Sequence, residues 1–335
     1  MKLKTFPLKT CLRYPGGKSK ATQTLAPWYP ENFKEYREPF IGGGSVAFYT
    51  TQAYPDVPIW INDKYVTLYN FWIQLRDCGE ELSNRLSDIK SEVSNYLSPV
   101  DKELAHEELF NKTLDNINNQ DGLDRAVSFF ILNKCSFSGL TENSTFSKTA
   151  AKSNFSSVGI NKLKQYSRLI QNWKITNIDY SEIMNAPGED VFVFLDPPYD
   201  IKDFLYGKNR EMHKFFDHNK FAEDVYKCPH QFMITYNTHP NFYNLYKDYY
   251  LREWILRYSM AHRGEKGYKS VDDRGASRND SEHNEKKELL ITNYPTEKVV
   301  ITLDQFYDKT PKIQSNFNGC YNYDRLKKEG LVDDL

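Results

Sequence analysis

The stretch Arg37-Glu38-Pro39-Phe40-Ile41-Gly42-Gly43-Gly44-Ser45 decides the fold. It places a glycine cluster between a predicted strand and a predicted helix. Such a turn lets backbone N–H groups and a helix N-terminus come close to a ligand. Taken alone it reads equally well as a tight turn that binds nothing. The spacing is not G-x-G-x-x-G, which argues against NAD or FAD.

Working outward, short apolar runs alternate with helix-like segments at both ends of the chain, the pattern of a mainly parallel sheet covered by helices. Strands are expected over 35–40, 57–61, 174–178, 191–195, 231–236, 250–256 and 288–293. From Phe71 to Ile117 the sequence is charged and helix-favouring. A further apolar helical stretch covers 126–133, and 136–157 is rich in Ser, Thr, Asn and Lys. The expected organisation is an α/β domain made of 1–72 and 173–305, an inserted, mostly helical module at 73–172, and a C-terminal extension at 306–335. Residues 264–284 are polar, mix both charges and lack apolar periodicity, which predicts a mobile loop between two late strands.

The 335 residues suffice for one large α/β domain with a smaller module. Lys and Arg (44) nearly balance Asp and Glu (45), so overall charge neither favours nor excludes a polyanion. The local distribution is uneven. Lys2, Lys4, Lys9, Arg13, Lys18 and Lys20 open the chain without an acid, and the span 125–172 holds seven basic residues against Glu142 alone. A solvated charged face or a nucleic-acid surface would each account for such runs. Five scattered cysteines form no C-x-x-C pair, so no metal site is expected and a reducing cytoplasm is the default. The N-terminus lacks an apolar signal region, and no long uncharged apolar run suggests a membrane span.

Three further motifs carry chemistry. Ile61-Asn62-Asp63 puts an acid at a strand end about twenty residues after the glycine turn, which suits a carboxylate accepting from ribose hydroxyls or, alternatively, a helix N-cap. Phe194-Leu195-Asp196-Pro197-Pro198-Tyr199 ends an apolar strand in a stiff extended turn. There the Asp196 carboxylate and the Pro197 carbonyl can both accept from one NH2 group, while Tyr199 offers a ring face for a base. Drawing both N–H bonds would aim the nitrogen lone pair outward. Arg13-Tyr14-Pro15-Gly16-Gly17-Lys18-Ser19 ends like a phosphate loop, but a Walker A motif needs glycine where Leu12 stands.

In this order, the motifs resemble the Dam-like (D12 class, α group) family of DNA adenine methyltransferases over residues 10–295. The matching features are Tyr14-Pro15-Gly16-Gly17-Lys18, Glu38-Pro39-Phe40 with Gly42-Gly43-Gly44-Ser45, Asn62-Asp63, Arg125-Ala126-Val127 leading to Leu132-Asn133 and Gly139-Leu140, Asp196-Pro197-Pro198-Tyr199, and the late Lys287-Glu288-Leu289-Leu290. The resemblance implies a class I methyltransferase fold with a seven-stranded sheet, S-adenosylmethionine as donor, double-stranded DNA as substrate, and a monomer. It also implies cofactor contacts at Tyr14, Lys18, Glu38, Pro39, Phe40, Gly42, Gly44, Ser45, Asp63, Asp179 and Asp196, and a target-adenine pocket at Asp196, Pro197, Pro198 and Tyr199.

DNA contacts are expected at Arg125, Asn133, Lys134, Glu142, Asn143, Lys148 and Lys152. Members of the family that act at GATC carry arginine where this chain has Glu142. Arginine suits guanine, whereas glutamate accepts from cytosine N4, so GATC is not the expected target. N4-cytosine methylation, which the same clamp would serve, and a catalytically idle DNA-binding protein of this fold are the competing readings. No cysteine follows a proline, which counts against C5-cytosine chemistry.

Overall fold

The computed structural model describes residues 6, 8–96, 98–199, 216–257, 285–296 and 320–321. The strands are β1 (Glu35–Glu38), β2 (Ile59–Asn62), β3 (Lys174–Thr176), β4 (Val191–Leu195), β5 (Gln231–Asn237), β6 (Tyr250–Arg257), β7 (Glu285–Thr292) and the two-residue β8 (Cys320–Tyr321). They form one sheet in the order β3-β2-β1-β4-β5-β7-β6-β8. The first five are mutually parallel, and β7 runs antiparallel to both β5 and β6. All seven expected strands are present, within a few residues of their expected limits. β1 stops before Pro39 and β2 starts after Pro58, because proline brings no N–H to a ladder. β8 left no sequence signal. The expectations for 264–284 and for most of 306–335 lie outside the described residues.

β4, Val-Phe-Val-Phe-Leu, shows why the sheet is covered twice. All five side chains are buried, and the two-residue period sends them alternately to opposite faces. Phe192 and Phe194 join a core with Tyr36, Phe48, Phe71 and Trp72. Val191, Val193 and Leu195 join a second core with Phe221, Phe242 and Tyr246. The first face is therefore covered by the Ser45–Ala53 helix and the central helices, and the second by the Tyr180–Asn185, His218–Lys227 and Pro240–Leu245 helices.

The central module is not a separate body. Its first helix, Val66–Ser94, begins before the expected boundary at 72/73 and carries Leu68, Phe71 and Trp72 into the core under the sheet. Cys78 leaves helical geometry (φ −127°, ψ 26°) and kinks the helix. At the next residue, Gly79, the Leu163–Leu169 helix passes so close that an added Cβ would lie 2.3 Å from the Ser167 Cβ. No helix among the described residues is long and apolar enough to cross a membrane.

The close approach sets two effects against each other. Gly79→Ala removes a glycine helix penalty of about 1 kcal/mol, while forcing the two helices apart costs ~1–3 kcal/mol. Overpacking should win, and the urea midpoint should fall. A raised midpoint would show that the helices do not pack through Gly79.

Candidate active site at the carboxyl ends of the parallel strands

In the order β3-β2-β1-β4-β5 the sequence of strand addition reverses between β1 and β4, and a doubly wound sheet opens its cleft outside the strand ends at such a switch point. The motifs converge there. β1 delivers Glu38 and the glycine turn, β2 delivers Asn62 and Asp63, and β4 delivers Asp196.

The glycine turn is shaped from within. Gly42 and Gly44 have φ of +47° and +71°, a left-handed region that side chains rarely adopt. A Cβ on Gly42 or Gly43 would also come within 2.8 Å of Tyr14. Tyr14 thus lies against the turn, and Gly44 starts the Ser45–Ala53 helix. The Ser45 and Ser19 hydroxyls share a 2.7 Å hydrogen bond that ties this helix to the Tyr14–Lys18 segment.

Asn62 locks three strand ends together. Its amide donates to the carbonyls of Pro39 (3.2 Å) and Ile178 (3.1 Å), and its oxygen accepts from the Ile178 N–H and the Thr176 hydroxyl, both at 2.9 Å. Neighbouring Asp63 accepts from the N–H groups of Gly42 and Tyr65, both at 3.0 Å. Burial pushes its carboxyl up to about 6 despite those bonds. Glu38, 2% exposed, accepts from the Tyr36 hydroxyl at 2.7 Å. It is raised well above its ordinary value by burial, with the charges of Asp196 and Asp63 adding to the effect.

Asp196 is held from two sides. Lys18, 3% exposed, donates to both carboxylate oxygens at 2.8 Å and to the Gly16 carbonyl at 3.1 Å. The Thr235 hydroxyl on β5 donates to Oδ1 at 2.7 Å. The same ammonium lies 4.8 Å from the centre of the Tyr199 ring, whose hydroxyl donates to Glu288 on β7 at 2.5 Å. Sequence reasoning assigned Lys18 to the cofactor, whereas the structure places its ammonium on Asp196. It missed Thr235 and Glu288, although a threonine inside the apolar run 231–236 and an acid just before the apolar run 289–291 were both visible.

Pro39 and Phe40 follow β1, and Asp179 follows β3, at the same strand ends. Phe40 packs with Tyr180, Phe216 and Phe221 on the second core. Pro39 is buried. Asp179 caps the Tyr180–Asn185 helix, accepting from the Ser181 N–H at 3.1 Å.

Among the expected DNA contacts, Asn133 and Lys134 are corrected. Asn133 is fully buried and pairs with the backbone of Arg13, its oxygen accepting from the N–H at 2.9 Å and its amide donating to the carbonyl at 2.6 Å. Lys134, 9% exposed, donates to the Cys11 carbonyl at 2.5 Å, and burial lowers it to about 8. Both side chains are buried and serve the backbone. Lys148 and Lys152 are exposed, Lys148 pairing with Glu103, whereas Arg125 and Asn143 are half-buried. Glu142 is half-buried and accepts from the Tyr65 hydroxyl.

Comparison with known proteins gives a matching frame. The family described as D12 class N6 adenine-specific DNA methyltransferase matches residues 14–260. The Type II methyltransferase M.MjaIII of Methanocaldococcus jannaschii is 29% identical over 203 residues, covering 57% of this chain and 69% of that protein. The DNA N-6-adenine-methyltransferase of Escherichia phage P1 is 25% identical over 249 residues, covering 72% of this chain but 31% of the phage protein. The Type II methyltransferase M1.LlaDCHI of Lactococcus lactis subsp. cremoris is 24% identical over 198 residues, 57% of this chain and 66% of its own length.

The Asp63 carboxyl binds its proton more tightly in the folded protein than in the unfolded chain. It therefore contributes stability below pH 3.8 that is lost as pH rises to about 6. Asp63→Asn should gain denaturant resistance over wild type at neutral pH compared with acid pH. An offset between the two urea midpoints that does not change with pH would mean that Asp63 pays no burial penalty.

Proposed function

The chain belongs to the D12 class N6 adenine-specific DNA methyltransferase family, whose fold is that of class I S-adenosylmethionine-dependent methyltransferases, and from that premise we propose that it methylates the exocyclic N6 of an adenine rotated out of duplex DNA. The observation that carries this reading is the carboxylate of Asp196, fixed by Lys18 and Thr235 at the switch point beside the ring of Tyr199.

The residues at the strand ends fit S-adenosylmethionine. Glu38 and Asp63 are both pushed up by burial, and the ammonium of Lys18 is engaged by Asp196. Two desolvated acids with no ion-pair partner among the described residues favour a cationic ligand, and lone pairs remain on Asp63 to accept from ribose hydroxyls. Asp63 and Glu38 would hold the ligand, with Tyr14 and the Gly42–Ser45 turn lining its approach. When bound, it supplies an electrophilic methyl group on a sulfonium.

The chain's own part is positioning. Oδ2 of Asp196 accepts from Lys18 and keeps a further acceptor site for an amine N–H. The Pro197 carbonyl, on a proline-stiffened turn, accepts the amine's other N–H. Holding both N–H bonds turns the nitrogen lone pair toward the donor, and Tyr199 gives the base a ring to stack on. Asp196 is already paired with an ammonium, so its role is orientation and stabilisation of the positive charge that develops on nitrogen. Extruding the base costs a few kcal/mol. The exposed Lys148 and Lys152 would offset that through phosphate contacts, making binding salt-dependent.

Modification-calling sequencing of genomic DNA from a methylation-deficient host expressing the protein should show N6-methyladenine in one defined motif. N4-methylcytosine, or no modified base, would overturn the reading. Asp196→Ala should lower the single-turnover rate by roughly 10²-fold or more with DNA affinity nearly retained. Wild-type turnover in that variant would refute the clamp.

A further inference from the structure

Glu142 and Asp63 belong to different parts of the chain, yet one residue touches both. The Tyr65 N–H donates to Asp63 Oδ1 at 3.0 Å, and the Tyr65 hydroxyl donates to the Glu142 carboxylate. Between these ends the Tyr65 ring packs edge-on to Phe129 of the Gly122–Cys135 helix, with centroids 6.2 Å apart. The hydroxyl pairs with a side chain 77 positions away while the backbone stays at the end of β2.

The loop that carries Glu142 is strained and held. Ser138, Gly139 and Thr141 all have positive φ, at 53°, 76° and 50°. Residues other than glycine keep such backbones only where their surroundings over-determine them, and such outliers gather at functional sites. The surroundings here are specific. Arg13 Nη1 donates to the Ser136 carbonyl at 2.8 Å, the Asn133 amide reaches the Gly139 carbonyl at 3.3 Å, and a Cβ on Gly139 would lie 2.5 Å from the Arg13 carbonyl oxygen. The loop is thus fastened to the segment leading to Lys18 and, through Tyr65, to Asp63.

We propose that Tyr65 is a positioning residue that holds the Glu142 carboxylate for base discrimination and makes that discrimination depend on whether the ligand of Asp63 is bound. The proposal rests on the function given above and deepens it. A carboxylate anchored by one hydroxyl keeps acceptor sites for a cytosine-type amine and loses less rotational freedom on binding DNA than a free one. A ligand bonded to Asp63 changes the carboxylate that orients the Tyr65 backbone, so the two sites share one strut. Their coupling must then be reciprocal.

The test uses the full chain, the non-reactive cofactor analogue sinefungin, and two duplexes: the methylated motif found by sequencing, and the same duplex with one recognition base pair changed. In wild type, sinefungin should raise the ratio of the two affinities roughly tenfold. Tyr65→Phe should lose most of that increase while binding sinefungin alone within about twofold of wild type, a value that also reports correct folding. Glu142→Ala, with Tyr65 intact, should lose the same increment, and the double variant should lose no more than either single one. The proposal is overturned if sinefungin leaves wild-type discrimination unchanged, if Tyr65→Phe keeps the full increment, or if the two losses add. Failure of the underlying function reads separately, as absence of N6-methyladenine from DNA exposed to the wild-type protein.

Discussion

The buried pairing of Lys18 with Asp196 is the constraint on which the rest of the site depends. The two residues lie 178 positions apart, and both carboxylate oxygens receive the ammonium at 2.8 Å. At 3% exposure the lysine has given up most of its hydration, and such a charge is tolerated only when its geometry and remaining hydrogen bonds are good. The structure supplies them through the Gly16 carbonyl, the Thr235 hydroxyl on Asp196 and the facing ring of Tyr199. Removing Asp196 would strand the buried Lys18 ammonium. The segment carrying Lys18 must therefore lie across the end of β4, and this closes one side of the cleft before any ligand arrives.

Most of the fold could be read from the sequence because the sheet is written in a two-residue code that the core enforces. A slip of one residue in β4 would exchange Phe192 and Phe194 for Val191, Val193 and Leu195 between two differently shaped cores. The acids at the ends of β2 and β4 were legible for the same reason, since a charged residue ending an apolar run must sit where the strand leaves the sheet. Partners distant in sequence were not legible. Spacing gives no hint that Lys18 meets Asp196, that Tyr199 meets Glu288, or that Asn62 joins the turns after β1 and β3. The boundary expected at 72/73 also dissolved, because Leu68, Phe71 and Trp72 need the sheet's core as much as the module's.

Charge was the least reliable guide. Asn133 and Lys134 lie in a basic stretch that reads as a DNA surface, yet both serve the backbone of Cys11 and Arg13. A chain segment that crosses a core brings N–H and C=O groups that must find partners. The Cys11 carbonyl finds an ammonium, and the Arg13 amide group finds an asparagine that matches it donor for acceptor. Burial lowers Lys134 to about 8, so this lysine holds its proton more weakly than an ordinary lysine side chain does. A count of basic residues cannot separate these cases, because the distinction lies in what covers each side chain.

The same crossing ties the site to the helical module. Between Cys11 and Lys18 the chain meets Lys134, Asn133, the Gly139 turn, the glycine turn at Gly42 and Asp196 in succession. Of these contacts, the hydrogen bonds to Lys134 and Asn133 and the ion pair with Asp196 cannot slide without leaving a buried donor or acceptor unpaired, at a cost of roughly 1–3 kcal/mol each. Displacing the Gly139 loop therefore strains the segment that places Lys18, and displacing Lys18 strains the loop that carries Glu142. A stiff connection of this kind does not require a large motion to transmit occupancy. It needs only that the two ends cannot relax independently, and the packing of Gly139 against Arg13 and of Gly42 against Tyr14 leaves no slack in which they could.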